Sequence, residues 1–243
     1  MIEIWNDVWE YNVHTNMFTW HGGNRTAGYD PGFFVGRGIT SPLNYPAARL
    51  NIGAGALISD RNSFMIFGGS LRSPQNTGYY STDLWEFSIT TRQWTYHGGS
   101  ITTTDQGILT TEKNEFSAQN WPSARDNAAM AYVPSMNALF LFGGNGLGTN
   151  NGGGGRLNDL WLYNLTLGQW AFVSGSYNTY SSGSYSTLYS YSPSNMPAAR
   201  AYPRMVYAEN DHSLLVYGGD FNSEFDVPFG IPAFNCLCRP TAG

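Results

Sequence analysis

The chain has 243 residues and a net charge of −5, and its positive charge is nearly all arginine, with Lys113 the single lysine. Without a basic cluster this argues against nucleic acid, which is held by Lys and Arg neutralising phosphates. Charged residues make up 12% of the chain, about half the usual ~25%, yet no run nears the ~18 consecutive apolar residues of a spanning helix, so no membrane insertion is expected.

In chain order, the opening MIEIWNDVWE has neither a basic nor an apolar leader region, so no export signal is expected. NDVWEYNVHTNMF (6–18) alternates apolar and polar residues around a short polar turn, which predicts two strands. A polar stretch (24–45) leads to PAAR (46–49), and IGAGALIS (52–59) and SFMIFGG (63–69) then read as a hairpin closed by SDRN. After a gap at 70–81, TDLWEFSITTRQW (82–94) reads as two further strands. The same order follows: a connector (100–121), PSAR (122–125), AAMAYVP, ALFLFGG (138–144), a Gly/Asn-rich gap (145–157) and NDLWLYNLTLGQW (158–170). A serine- and tyrosine-rich stretch (174–195), PAAR (197–200), RMVYAEN and SLLVYGG (213–219) complete the series. No apolar period of 3.6 residues is sustained, so no substantial helix is predicted.

These pieces repeat in register. Arg49, Arg125 and Arg200 step by 76 and 75 residues; the pairs Gly68/Gly69, Gly143/Gly144 and Gly218/Gly219 step by 75. Asp7, Asp83 and Asp159 step by 76, as do Trp9, Trp85 and Trp161, and then Phe18, Trp94 and Trp170. One unit is four antiparallel strands, a-b-c-d, which cannot bury both faces alone; stacking such sheets radially solves that. Paired glycines at the end of strand b suit positive φ or close backbone approach. The strand-c tryptophans have the bulk to fill a wedge between sheets, the aspartates suit backbone N–H groups, and the arginines can reach a neighbour's carbonyls.

Diglycine after an apolar strand, Asp-x-Trp-x-aromatic, and an aromatic nine residues on together resemble the kelch motif over residues 1–221. The repeats are longer than the ~50 residues usual for kelch. They are most similar to long-loop kelch proteins related to the central propeller domain of galactose oxidase. The resemblance implies an all-β, kelch-type β-propeller of four-stranded antiparallel blades: a partial blade at 1–23, blades at 46–99 and 122–176, a partial blade at 197–221, and a degenerate or truncated segment at 222–243. That makes about three blade equivalents, against the four to eight that close a propeller. The expectation is a fragment of a longer protein, which FNCLC (234–238) favours because it falls where LNDLW is due. A head-to-tail homodimer and an open, poorly soluble chain remain alternatives.

The a–b and c–d turns are short, so the long d–a and b–c connectors would leave one face, taken as the binding face. There, Tyr177, Tyr180, Tyr185, Tyr189 and Tyr191 lie among serines, a composition like that of antibody paratopes. A flexible linker is the bland alternative.

Catalytic patterns are lacking. His21 and His97 occupy equivalent repeat positions, His14 and His212 fall in turns, and GGGG (152–155) lacks a following Lys-Ser/Thr. Cys236 and Cys238 lie outside the repeats, two residues apart, so neither a mutual bridge nor the cysteine–tyrosine link of galactose oxidase is expected. The expectation is a non-catalytic module, without cofactor or metal, binding a protein or glycan through the long-loop face. The alternative is a fragment of a secreted carbohydrate-active or galactose-oxidase-like enzyme whose active site lies elsewhere. Scarce lysine and two sequons, at Asn24 and Asn164, lean towards the cell exterior.

Overall fold

The computed structural model describes residues 3–26, 28–102, 104–148 and 154–221. It is all-β, in several antiparallel sheets. The first hairpin pairs β1 (Val8–Asn12) with β2 (Met17–Gly22). After β3 (Thr40–Ser41) and β4 (Arg49–Leu50), a meander runs through β5 (Ala54–Ile58), β6 (Ser63–Phe67), β9 (Leu84–Ser88) and β10 (Gln93–Gly98), with β3 on its outer edge. The b–c gap folds as β7 (Ser70–Arg72) and β8 (Gly78–Tyr80), which join β4 in a small sheet.

The next unit has the same plan. β12 (Ala129–Val133), β13 (Ala138–Leu147), β14 (Gly154–Asn164) and β15 (Gln169–Ser174) form the meander. β11 (Arg125–Asp126) pairs with the far end of β13, as β4 pairs with β7. The last hairpin is β16 (Arg204–Ala208) with β17 (Ser213–Tyr217). Each a–b turn is a single 3-10 turn closed by a left-handed residue: Asn62, Asn137 or His212. Segment 222–243, with FNCLC and both cysteines, and Gly152 and Gly153 of the glycine run lie outside the described residues.

The sheets stack face to face in series. Ala54, Met65 and Phe67 of the first complete sheet meet Met130, Leu141 and Trp161 of the second. The far face of the second, with Ala131, Phe140 and Leu162, meets Met205 and Val216 of the last hairpin. Burial of β12 on both faces explains its unbroken apolar reading AMAYV. Trp85 and Trp161 are buried as wedges, whereas Trp9 is 56% exposed because no sheet among the described residues packs on its side of the first hairpin.

The repeated arginine and aspartate hold each complete unit together. Arg49 donates from Nη1 and Nη2 to Asp83 Oδ1 and Oδ2, both at 2.7 Å; Arg125 does the same to Asp159 at 2.6 and 2.7 Å. Such bidentate, buried pairing is stronger than the backbone contacts expected of either residue separately. The tryptophan two residues on completes the carboxylate, Trp85 Nε1 donating to Asp83 at 2.6 Å and Trp161 Nε1 to Asp159 at 2.7 Å.

The long d–a connectors are not free loops. The first two fold back along strand d of the following unit. Thr40–Ser41 pairs with β10, and Ser117 bridges to Trp170. An asparagine two residues before the Pro-x-Ala-Arg motif clamps each arm: Asn44 Nδ2 donates to Trp94 O at 2.9 Å and Asn120 Nδ2 to Trp170 O at 3.2 Å.

Gly68 shows why strand b carries glycine. Its φ is +67°, and a Cβ would lie 2.4 Å from the Arg125 carbonyl oxygen of the next unit. Gly68→Ala is expected to cost about 2–4 kcal/mol in denaturant unfolding, combining left-handed strain with overpacking. Gly218 has φ +69° with nothing within 4 Å of a Cβ, so Gly218→Ala should cost only about 1–2 kcal/mol. Equal losses would mean that the inter-unit approach is not what selects glycine.

The second glycine of each pair also has positive φ and a close backbone neighbour, as expected of the pair, but that neighbour belongs to its own unit. Gly69, Gly144 and Gly219 turn towards their own unit: a Cβ would meet Leu50 O at 3.1 Å, Asp126 O at 2.7 Å and Ala201 O at 2.7 Å. The reason is that the chain beyond the pair goes on to hydrogen-bond the short segment holding the repeated arginine, through β4–β7, β11–β13 and the Ala201–Asp220 bridge. In the second complete unit the pair does not end the strand at all. β13 continues to Leu147, and Gly143 and Gly144 sit at a register shift inside it.

Candidate functional site

Two residues after each repeated arginine the chain turns from the short strand into strand a through a left-handed residue. These are Asn51, Asn127 and Tyr202, with φ of 55°, 51° and 59°. Asparagine tolerates this region, but a tyrosine there is an outlier. The three are chained by backbone hydrogen bonds between units: Asn127 N–H donates to Asn51 O at 3.0 Å, and Tyr202 N–H to Asn127 O at 2.8 Å.

Beside this chain lies a cleft of about 560 Å3 between the β4–β7–β8 sheet and the extended ends of β13 and β14, within the range of ligand-binding clefts. Asp126 is its centre. It is only 4% exposed, and its Oδ2 accepts hydrogen bonds from Ser70 Oγ at 2.6 Å and Asn51 Nδ2 at 3.2 Å. Its Oδ1 is buried with no hydrogen-bond partner among the described residues, and so is Arg72 Nε on the same wall. Burial pushes the Asp126 carboxyl above the usual carboxylate range, although the hydrogen bonds from Ser70 and Asn51 and the nearby amides of Asn127 and Asn145 pull the other way. Further out, Asn145 Nδ2 donates to Tyr80 Oη at 2.6 Å, and Tyr79 and Tyr202 line the rim. A buried carboxylate oxygen without a donor is costly. Here it is held at the base of a cleft rich in amide, hydroxyl and tyrosine groups.

Asp126 was not singled out from the sequence, but a signal was present. It follows the repeated arginine directly, where the other units have Leu50 and Ala201. An acid that breaks the repeat serves something other than the repeat.

The five tyrosines of the 174–195 stretch do not form one surface. Tyr177 stacks on Phe172 with ring centroids 4.3 Å apart, and burial pushes its hydroxyl up to about 12. Tyr180 is left-handed, and its ring packs over Gly155 and edge-on to Phe221. Tyr185, Tyr189 and Tyr191 are exposed on the third arm. His21 and His97 pair with Glu10 and Glu86 across their hairpins at 2.7 and 2.9 Å. Burial of Glu86 is outweighed by hydrogen bonds from His97 and Ser63, which hold its carboxyl below its usual range. His14 lies in the β1–β2 turn and His212 closes the last 3-10 turn. Among the described residues, no three His, Cys, Asp or Glu side chains gather as a metal ion would require.

A scan against protein-family models finds no match to the chain, and a search of curated proteins finds none either.

Proposed function

We propose that the chain is a non-catalytic interaction module built on kelch-type β-propeller repeats, and that its ligand is a glycan seated in the Asp126 cleft. In-register units and serial face-to-face stacking support the propeller reading. The observation that carries the ligand is the buried Asp126 Oδ1, without a hydrogen-bond partner among the described residues, in the lining of a polar cleft whose other charged group is Arg72. A sugar hydroxyl supplies the missing donor, the asparagine amides both donate and accept, and the tyrosine rings offer apolar faces to a pyranose. Among the described lining residues Asp126 is the single carboxyl group, whereas glycoside hydrolysis commonly uses a pair; binding is therefore proposed rather than cleavage.

Asp126→Asn tests this with two readouts. Titration with neutral gluco-, galacto-, manno- and N-acetylglucosamine oligosaccharides should show binding that the variant weakens about ten- to a hundredfold, the worth of a hydrogen bond to a charged group. Stability of the free protein should move the other way. The raised folded pKa of Asp126 means that stability is fully present below the unfolded pKa and is lost as pH rises through the folded value. The asparagine variant should thus melt higher than the parent at neutral pH, with the gap closing on acidification towards pH ~4. Absence of binding to any of these sugars, or binding that the substitution leaves intact, would overturn the proposal.

A further inference from the structure

The two ends of the repeat series carry complementary halves of one unit. Arg200 holds the pose of its two counterparts. Its Nε donates to Ala198 O and its Nη1 to Gly218 O, both at 3.0 Å, as Arg49 does to Ala47 O at 3.0 Å and Gly68 O at 2.9 Å. Arg200 nevertheless has no carboxylate partner among the described residues, whereas Arg49 and Arg125 each have one. At the other end, Asp7 accepts from Trp9 Nε1 at 2.5 Å, as Asp83 and Asp159 do from their tryptophans, but has no arginine partner among the described residues. One end has a preset guanidinium and the other the matching carboxylate.

The strand edges match as well. β17 is the edge of an a–b hairpin and β1 the edge of a c–d hairpin, each five residues long. The apolar side chains buried at equivalent positions elsewhere are exposed here: Trp9, Phe18, Leu215 and Tyr217. Among the described residues the third arm has no strand to cover. Asn195 Nδ2 bonds Ser190 O within the arm, whereas Asn44 and Asn120 also clamp a strand-d carbonyl. Between this arm, Arg200 and Val216 opens a cleft of about 780 Å3.

We infer that β17 and the arm around Asn195 receive the β1–β2 hairpin of a second copy of this chain, with Asp7 of one copy chelated by Arg200 of the other. The inference does not rest on the Asp126 cleft. Both complete units fix the register: Met65 pairs with Glu86, and Phe140 with Leu162. Carried over by the repeat steps, Leu215 faces Glu10 and Val216 faces Trp9, while Phe18 O meets Asn195 Nδ2. Trp9 and Phe18 then pack towards β13 and β14, as Trp161 and Trp170 pack on Phe67 and Leu84 of the preceding sheet. Two such junctions close a ring of two complete sheets from each copy and two shared ones, within the four to eight a propeller requires.

Light scattering on the full chain should give twice 26.8 kDa. Arg200→Glu should raise the dimer dissociation constant about a hundredfold or more, because it sets two carboxylates against each other at a desolvated junction. Because that variant alters a partly buried site, a disulfide test stands beside it. With Cys236→Ser and Cys238→Ser, the pair Glu10→Cys with Leu215→Cys should form a covalent dimer, and Glu10→Cys with Val216→Cys should not. A mass of 26.8 kDa at the highest soluble concentration with no 10–215 disulfide would overturn the inference, showing the edge to be open or covered from elsewhere. A dimer that resists Arg200→Glu and forms no such disulfide would also overturn it, since another face would then join the copies.

Discussion

Asp159→Ala is expected to lower the free energy of unfolding by about 3–5 kcal/mol, because removing one partner of a buried ion pair leaves the other charge uncompensated. The Arg125 side chain has 0% exposure and keeps only backbone carbonyls and the Ser123 hydroxyl as acceptors, while Trp161 Nε1 loses its acceptor. Denaturant unfolding at neutral pH measures the loss, which is a large share of the 5–15 kcal/mol that most domains possess. The double variant Arg125→Met with Asp159→Leu should regain part of it, since replacing both charges by apolar groups removes the stranded cation. If the double variant is as destabilised as Asp159→Ala, the loss comes from the backbone carbonyls left behind and not from the charge.

Trp170→Ala should cost a similar ~3–5 kcal/mol, the range for truncating a buried aromatic to alanine. Trp170 has 0% exposure and joins three parts of the molecule: Tyr163 in its own sheet at 4.9 Å between ring centroids, Phe67 of the preceding sheet at 5.6 Å, and Trp121 of the arm at 6.1 Å. Its Nε1 is buried without a partner among the described residues, so Trp170→Phe should cost far less, as it removes a donor that makes no hydrogen bond there. Phe18 holds the same repeat position but is 70% exposed. In dilute protein, Phe18→Ala should change stability by less than about 0.5 kcal/mol. A comparable loss at both positions would show that the aromatic acts within its own hairpin and not between sheets.

Much of the fold was legible because it is written more than once. The strands around SFMIFGG and DLWEFSI alternate or run apolar according to how many faces they bury, and the copies average out accidents of composition. The Arg49–Asp83 pair was harder to read. Its members lie 34 residues apart, and no local pattern shows that a guanidinium expected at a neighbour's carbonyls instead closes on an aspartate of its own unit. The arms have the composition of loops, and their order comes from single asparagines such as Asn44 and Asn120, which grip the next unit. Exposure at the ends was likewise invisible, since Trp9 and Trp161 have the same sequence surroundings and differ only in what stacks upon them. Asp126 has no counterpart in the other units, so the repeat itself does not mark it. The informative acid was the one that does not repeat.

The most direct test of the account is to map backbone amide chemical shifts while titrating with the tightest-binding oligosaccharide. The cleft reading predicts that the largest changes fall at Asn51, Ser70, Asp126, Asn145 and Tyr202, drawn from three successive units around one carboxylate. Changes confined to Tyr185, Tyr189 and Tyr191 on the third arm would contradict it and place recognition on the exposed tyrosines instead.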